Sequence, residues 1–330
     1  MKRGVWAGGQ RGAALIVVLL LVATLSFLVL GISERMTLAS SLAANARIRT
    51  ELLWRIVGVE AAAVSAIRSA LSQDGFRYAP DHPFFAAAID IPMEKGGAEL
   101  RFRDATRCFN LNGLVTLKDG VYSKDEDALK DFAALMRAAD ADQASAEIAA
   151  TIIDWIDSDG FQEPGGAEDG AYLGLPAPYR TGGTLLADIS EVRAMRGVDR
   201  DRFARLASVA CALPIASPSP INVNLLEPGQ GAVLVGALGG AISLAEAESA
   251  IQDRPPAGYA SIEEFWKLDI FREKNLPAPV KSRPKLTSQF IEAYAAVRFI
   301  DQTAGVRTLL ELAENGEARL VSRRIETGPQ

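Results

Sequence analysis

From Ala13 through Ile32 the chain carries no charged residue and is mostly large apolar side chains, until Glu34 closes the run. About 20 residues at 1.5 Å each reach roughly 30 Å, the thickness of a bilayer's hydrocarbon core. In lipid every backbone polar group must be satisfied within the segment, so the run is a helix. Lys2, Arg3 and Arg11 lie upstream of it. Cationic flanks stay on the cytoplasmic side, which sends the rest of the chain outward.

A cleavable secretory signal has a shorter apolar region with the cleavage site after it. Here Gln10-Arg11-Gly12 stands before the run. This arrangement resembles the class III signal peptides of type IV pilins and type II secretion pseudopilins, which a prepilin peptidase cuts after such a glycine. On that reading Gly12 and Ala13 are the processing residues, 1–12 is a leader and 13–33 is the transmembrane helix. An uncleaved membrane anchor is the other reading of the same segment.

The formal charge of -6 opposes a nucleic-acid partner, whose phosphates a negative surface repels. His82 is the only imidazole and sits in a turn-like Asp-His-Pro, so a Ser-His-Asp triad or a Cys/His zinc site lacks residues. No phosphate loop or nucleophile elbow appears. Cys108 and Cys211 are the only cysteines. In an oxidising compartment they can pair, closing a loop of about 100 residues worth up to roughly 4.7 kcal/mol in the chain-entropy model. Two separate buried thiols are the alternative.

Glu34 to Leu71 contains no proline, and Leu38, Leu42, Leu52, Ile56, Ala63, Ile67 and Leu71 recur at helical spacing. The pattern predicts one helix from Ala13 to about Ser72, with Gly58 as a possible bend; two helices broken near Gly31 are the alternative. Asp74-Gly75 ends it, and a proline-broken loop through Pro80, Pro83 and Pro92 follows. Ala98 to Arg103 alternates as a strand should, and Arg107 to Gly113 reads as a strand entering a turn. Asp125–Ala139 and Ser145–Ile156 are helical. Asp188 with Glu191 forms a capping box before a further helix, and Asp199 to Leu206 is another. Phe290–Ile300, Val306–Leu312 and Arg319–Ile325 return to strand alternation, with turns at Asp301-Gln302 and Asn315-Gly316, and should pair with the strand near Ala98.

Two stretches carry candidate chemistry. Asp154 to Gly170 gathers carboxylates on a glycine-rich loop, which suits a hard cation needing six to eight oxygens. It departs from an EF-hand at Phe161, Gln162 and Pro164, and a solvated acidic loop is the plainer reading. Residues 221–253 resemble a helix-hairpin-helix module with its hairpin at Gly236 to Gly240. Glu246 and Glu248 flank that hairpin, and no Lys or Arg is near in sequence, so a structural helical hairpin fits better than a phosphate grip.

The blocks Arg11-Gly12-Ala13, Cys108-Phe109-Asn110-Leu111-Asn112, Asp154-Trp155-Ile156-Asp157, Gly166-Ala167-Glu168-Asp169, Tyr179-Arg180 and Ile221-Asn222-Val223-Asn224 resemble, in this order, the general secretion pathway protein K family of minor pseudopilins. The resemblance implies an α+β, type IV pilin-like fold: a long N-terminal helix with a single transmembrane span and an antiparallel sheet, interrupted by a large inserted mostly α-helical domain. The pilin-like part covers 34–113 and 286–330, and the insert 114–285. It further implies a non-enzymatic role at the tip of the periplasmic pseudopilus, in pseudopilus initiation and protein export. The implied partners are minor pseudopilins I and J, the prepilin peptidase, the inner-membrane secretion platform and the inner membrane itself. N-terminal methylation and calcium in the globular region are implied too. Onto this chain we carry the calcium as Asp157, Asp159, Glu163, Glu168 and Asp169.

Cutting after Gly12 makes Val17 the fifth mature residue, where most pilins have a glutamate that pairs with the N-terminal ammonium of the subunit above. An unpaired charge in lipid is costly, so a subunit with Val17 needs no neighbour above it. Two further readings belong to other classes: a membrane-tethered DNA-binding protein for uptake, built on the helical hairpin, and an anchored hydrolase using calcium at the acidic loop.

Overall fold

The computed structural model describes residues 10–73, 76–139, 145–313 and 316–327. Residues 1–9 of the expected leader and the Asp74-Gly75 and Asn315 turn positions lie outside the described residues.

Helix α1 (Gln10–Leu71) is 62 residues long without a break, so Gly31 and Gly58 are both helical. At 1.5 Å per residue it spans roughly 90 Å. Its two halves meet different surroundings. Leu15 to Leu42 expose their apolar side chains, and Thr24 and Ser26 donate their hydroxyls to Leu21 O and Val22 O, as a segment in lipid must. Further along, Leu52, Ile56, Val59, Ala63 and Ile67 recur every three or four residues and are buried against a sheet.

That sheet is antiparallel and five-stranded: β1 (Ile89–Met93), β2 (Gly96–Asp104), β3 (Phe290–Phe299), β4 (Gln302–Leu312) and β5 (Ala318–Thr327), in that spatial order. The register sets Leu100 opposite Ala295 and Ala295 opposite Val306, so alternate residues of each strand meet α1. The expected pairing of the last strands with the one near Ala98 is present. Residues 89–93, expected as loop, form the edge strand; Pro92 lacks an N–H, and only an edge tolerates that. The β3–β4 turn sits one residue earlier than expected, with Ile300 left-handed at φ 55°. Glu60 is buried and accepts from Thr308 Oγ1 and the Arg323 guanidinium, tying α1 to β4 and β5.

β2 ends at Asp104 and its neighbour β3 begins at Phe290; the chain between them builds a second core. Helices α2 (Glu126–Ala138), α3 (Ser145–Ile156), α4 (Asp169–Leu173), α5 (Arg200–Val209), α6 (Gly231–Ala237) and α7 (Leu244–Gln252) surround it. Phe132, Leu135, Ile152, Ile153, Val233 and Leu234 fill it. Phe109 and Leu111 also belong to it, so the second core begins earlier than residue 114. A hairpin, Val115–Lys118 with Val121–Lys124, turns on Asp119-Gly120 at positive φ and was not expected.

Polar links hold this core. Cys108 and Cys211 form a disulfide with Cα atoms 5.7 Å apart. Asn112, fully buried, donates to Leu186 O and Leu213 O and accepts from Leu186 N. Asn110 spans Ile215 O, Ser217 O and Leu213 N, and Asn224 takes both backbone groups of Tyr259. These amides substitute for β-ladder partners where the chain has none. The capping box on Asp188 and Glu191 forms as expected, but the helix it opens, Ile189–Ala194, is a short 3-10 turn.

Candidate metal centre

Helix α3 is buried from Ile148 to Ile156, and its C-terminal end delivers Asp154 and, just beyond it, Asp157 into the acidic loop. The loop returns through Gly165, left-handed at φ 87°, and Gly166, where a Cβ would collide with the Asp154 carboxylate. Glu168 then caps α4, its Oε2 accepting from Asp169 N.

Carboxylate oxygens of Asp157, Asp159 and Glu168 lie within 4.8 Å of one another. At an effective dielectric near 20, two charges at that separation repel by about 3 kcal/mol. Asp157 Oδ1 and Glu168 Oε1 are buried without a hydrogen-bond partner. Burial first, then the charges of Asp159, Glu168, Asp154 and Glu163, push the Asp157 carboxyl up to about 7. Burial likewise raises Glu168 and Asp154. Asp159 is exposed, which leaves the cluster open to water on one side. Three convergent carboxylates, two with orphaned oxygens, on an irregular loop fit a hard divalent cation. Oxygen-only donors at flexible angles suit calcium better than octahedral magnesium or nitrogen- and sulfur-seeking zinc.

Of the five residues expected as ligands, the structure brings together these three and not the other two. Glu163 turns to Lys124 Nζ at 2.8 Å. Asp169 is taken up by Thr181 N at 2.9 Å, Thr181 Oγ1 at 3.0 Å and Arg180 Nη1 at 3.0 Å. A cation at either carboxylate would have to displace those partners. Asp154, not among the expected ligands, accepts from Glu163 N at 2.9 Å and so pins the loop's turn. Its place in the last turn of α3, three residues before Asp157, was the signal for it.

Around the cluster, the sequence blocks that looked separate form one knot. Trp155 meets Tyr172 edge to face at 5.5 Å, and Tyr172 stacks on Tyr179 at 5.1 Å. Tyr179 donates its hydroxyl to Ala194 O, and the Arg196 guanidinium donates to Gly165 O and Gly166 O.

The helical hairpin has none of the features of a phosphate grip. Its amides are used within the turn: Gly239 N donates to Gly236 O, Gly240 N to Val235 O and Ala241 N to Leu238 O. Glu248 accepts from Gly229 N and Gly231 N, placing a carboxylate at the start of α6 where a phosphate would sit. Lys274 and Arg283, distant in sequence, do approach, but Lys274 is held by Glu246 and Arg283 by Asp131. His82 caps the turn Pro83–Ala86 through Nδ1 and packs on Phe76, so it serves structure.

A membrane-length helix running on over an antiparallel sheet, with a second core inserted between two neighbouring strands, defines a pilin-like anchored subunit. The family model described as type II secretion system (T2SS), protein K matches residues 107–215 and again 221–283. The type II secretion system protein K of Pectobacterium carotovorum subsp. carotovorum is 30% identical over 92% of this chain and 93% of its own length. That of Pseudomonas aeruginosa is 30% identical over 97% and 94%. The fold matches a chain in the crystal structure of the GspK-GspI-GspJ complex from enterotoxigenic Escherichia coli, with a TM-score of 0.74, 22% identity, and coverage of 87% of this chain and 99% of that one. The chain belongs to the type II secretion system protein K family and is a minor pseudopilin.

Proposed function

We propose that this chain occupies the tip of a periplasmic pseudopilus, held in the inner membrane by residues 13–33 with its N-terminus cytoplasmic until the fibre is assembled. The observation that carries this reading is α1 itself: one rod whose first half exposes only apolar and small polar side chains up to Glu34, with Val17 at the position where a shaft subunit needs a carboxylate. The second core adds bulk that a tightly wound shaft would not accommodate. The enterotoxigenic Escherichia coli neighbour was solved together with GspI and GspJ, and minor pseudopilins I and J are the partners proposed here. The prepilin peptidase and the inner-membrane platform complete the set. The role is assembly, not catalysis.

Processing after Gly12 gives a mature chain beginning at Ala13. Mass spectrometry of protein from membranes containing the peptidase should find that N-terminus; retention of Met1 in functional protein contradicts the proposal.

Calcium is proposed at Asp157, Asp159 and Glu168, supported by the two orphaned carboxylate oxygens. When bound, the ion supplies the positive charge that three converging carboxylates lack. The chain's own residues orient the set: α3 presents Asp157, the cap on α4 presents Glu168, and the Phe161 N–H fixes Asp159. A ligand that binds only the folded state stabilises by about 2.7 kcal/mol at one hundred times its dissociation constant. Thermal melting with calcium and with chelator should therefore differ; equal midpoints contradict the site.

A further inference from the structure

The sheet face turned away from α1 carries a row of arginines beside a tyrosine. Arg101 of β2 stands opposite Tyr294 of β3, Tyr294 opposite Arg307 of β4, and Arg307 opposite Arg324 of β5. Their neighbours Leu100, Phe102, Ala293 and Val306 are buried under α1, which puts the row on the other face. Adjacent strands are about 4.8 Å apart. Like charges directly opposite one another, as Arg307 and Arg324 are, destabilise a sheet.

Three hollows open over this face and meet at Arg103. One of about 290 Å³ runs to the Cys108–Cys211 corner, one of about 400 Å³ lies over Phe85 and Tyr294, and one of about 210 Å³ lies against Leu226 and Pro228. Their walls carry Arg101, Arg103, Arg107, Arg254, Arg307 and Arg324 and no lysine, against Asp104, Asp188, Glu227 and Glu292. Cations thus outnumber anions here in a chain whose net charge is -6. A planar guanidinium matches a carboxylate in bidentate fashion, and an all-arginine set points to that chemistry.

Internal partners satisfy the ends of the cleft and leave its middle loose. Arg324 takes both Asp188 oxygens at 2.9 Å, and Arg107 is held by Glu227. At the centre, Arg307 reaches Glu292 only at 3.4 Å and Glu326 at 3.5 Å, and Arg103 stands 3.8 Å from a Glu227 already used by Arg107. The Arg307 and Arg103 side chains are 45% and 59% exposed. Phe85 and Leu309 give the same cleft apolar surface.

We propose that this cleft receives an extended acidic segment of another polypeptide, its carboxylates on Arg103 and Arg307 and its apolar residues against Phe85 and Leu309. A dense polyanion fits less well, because Asp188, Glu227 and Glu292 interrupt the cations; single carboxylates spaced along a peptide can interleave with them. The inference does not depend on the place of the chain in a pseudopilus.

The test uses the full chain in non-ionic micelles and the fluorescence anisotropy of a short labelled peptide alternating glutamate and valine. Saturable binding is expected, weakened roughly tenfold or more in Arg103→Gln and in Arg307→Gln, the scale of one lost charge-assisted hydrogen bond. Lys118→Gln removes one charge from the exposed hairpin outside the cleft and should bind as the parent does. Melting curves confirm that each variant is folded. Equal binding of the glutamine–valine peptide, parental affinity in both arginine variants, or no saturation overturns the proposal.

Discussion

The core under α1 is closed by apolar faces running the length of regular elements, whereas the core between Asp104 and Phe290 is closed by links at single points. Under α1, residues from Leu52 to Ile67 lie over alternate residues of β2, β3 and β4, and an ion pair between buried Glu60 and the partly exposed Arg323 crosses the interface. In the second core most helices are short, and a disulfide, four buried asparagines and an acidic loop fix how they pack. A periodic interface distributes its stability over many contacts. A point-linked one loses its arrangement when a single link fails.

The largest difference should come from the disulfide. Cys108 and Cys211 are 103 residues apart, and a loop of that size is worth about 4.7 kcal/mol in the chain-entropy model. Replacing both with serine should lower the urea midpoint reported by Trp155 and Trp266, which belong to the second core, and leave amide protection in β2–β4 intact. A matching loss of sheet protection would break the distinction between the two cores.

Ile56→Ala is the converse. Removing a fully buried side chain costs about 2–5 kcal/mol, and here it should fall on the sheet, with the tryptophan-reported midpoint unchanged. Asn112→Ala should cost about 2–4 kcal/mol in the second core, since it strands Leu186 N–H and the carbonyls of Leu186 and Leu213. A urea midpoint within error of the parent would show that water replaces the amide.

The smallest effect lies at the junction. Burial raises the Asp104 carboxyl to about 6, against hydrogen bonds from Thr106 and Ser288 and the Arg107 charge. Because the folded-state value lies above the unfolded one of 3.8, its stabilising contribution is complete below about pH 4 and is lost as pH rises through about 6. Asp104→Asn should flatten that part of the stability–pH curve, by at most about 3 kcal/mol. An unaltered slope would assign it to other groups.

The same contrast decides what the sequence made legible. The long helix, the returning strands and their pairing with β2 were readable because spacings of three to four and of two residues repeat there. The hairpin on Asp119-Gly120 is also written in its turn residues, but it sits among helical patterns that mask it. The β1 edge was hidden by Pro92, which argues against a strand unless the strand's edge position is known. At the acidic loop, composition marked the stretch but not which of its carboxylates converge. Which ones converge depends on Lys124, Arg180 and Thr181, which come from other parts of the chain. Likewise the asparagine blocks show in sequence that something specific is required, but not that it is a set of buried backbone partners.

Hydrogen exchange of the full chain in micelles, with calcium and with chelator, tests the central claim most directly. Chelation should speed exchange in residues 154–183 and leave β2, β3 and β4 as they were. Unchanged exchange in the acidic loop, or faster exchange spread evenly over both cores, would contradict a second core held by point links and the cation proposed as one of them.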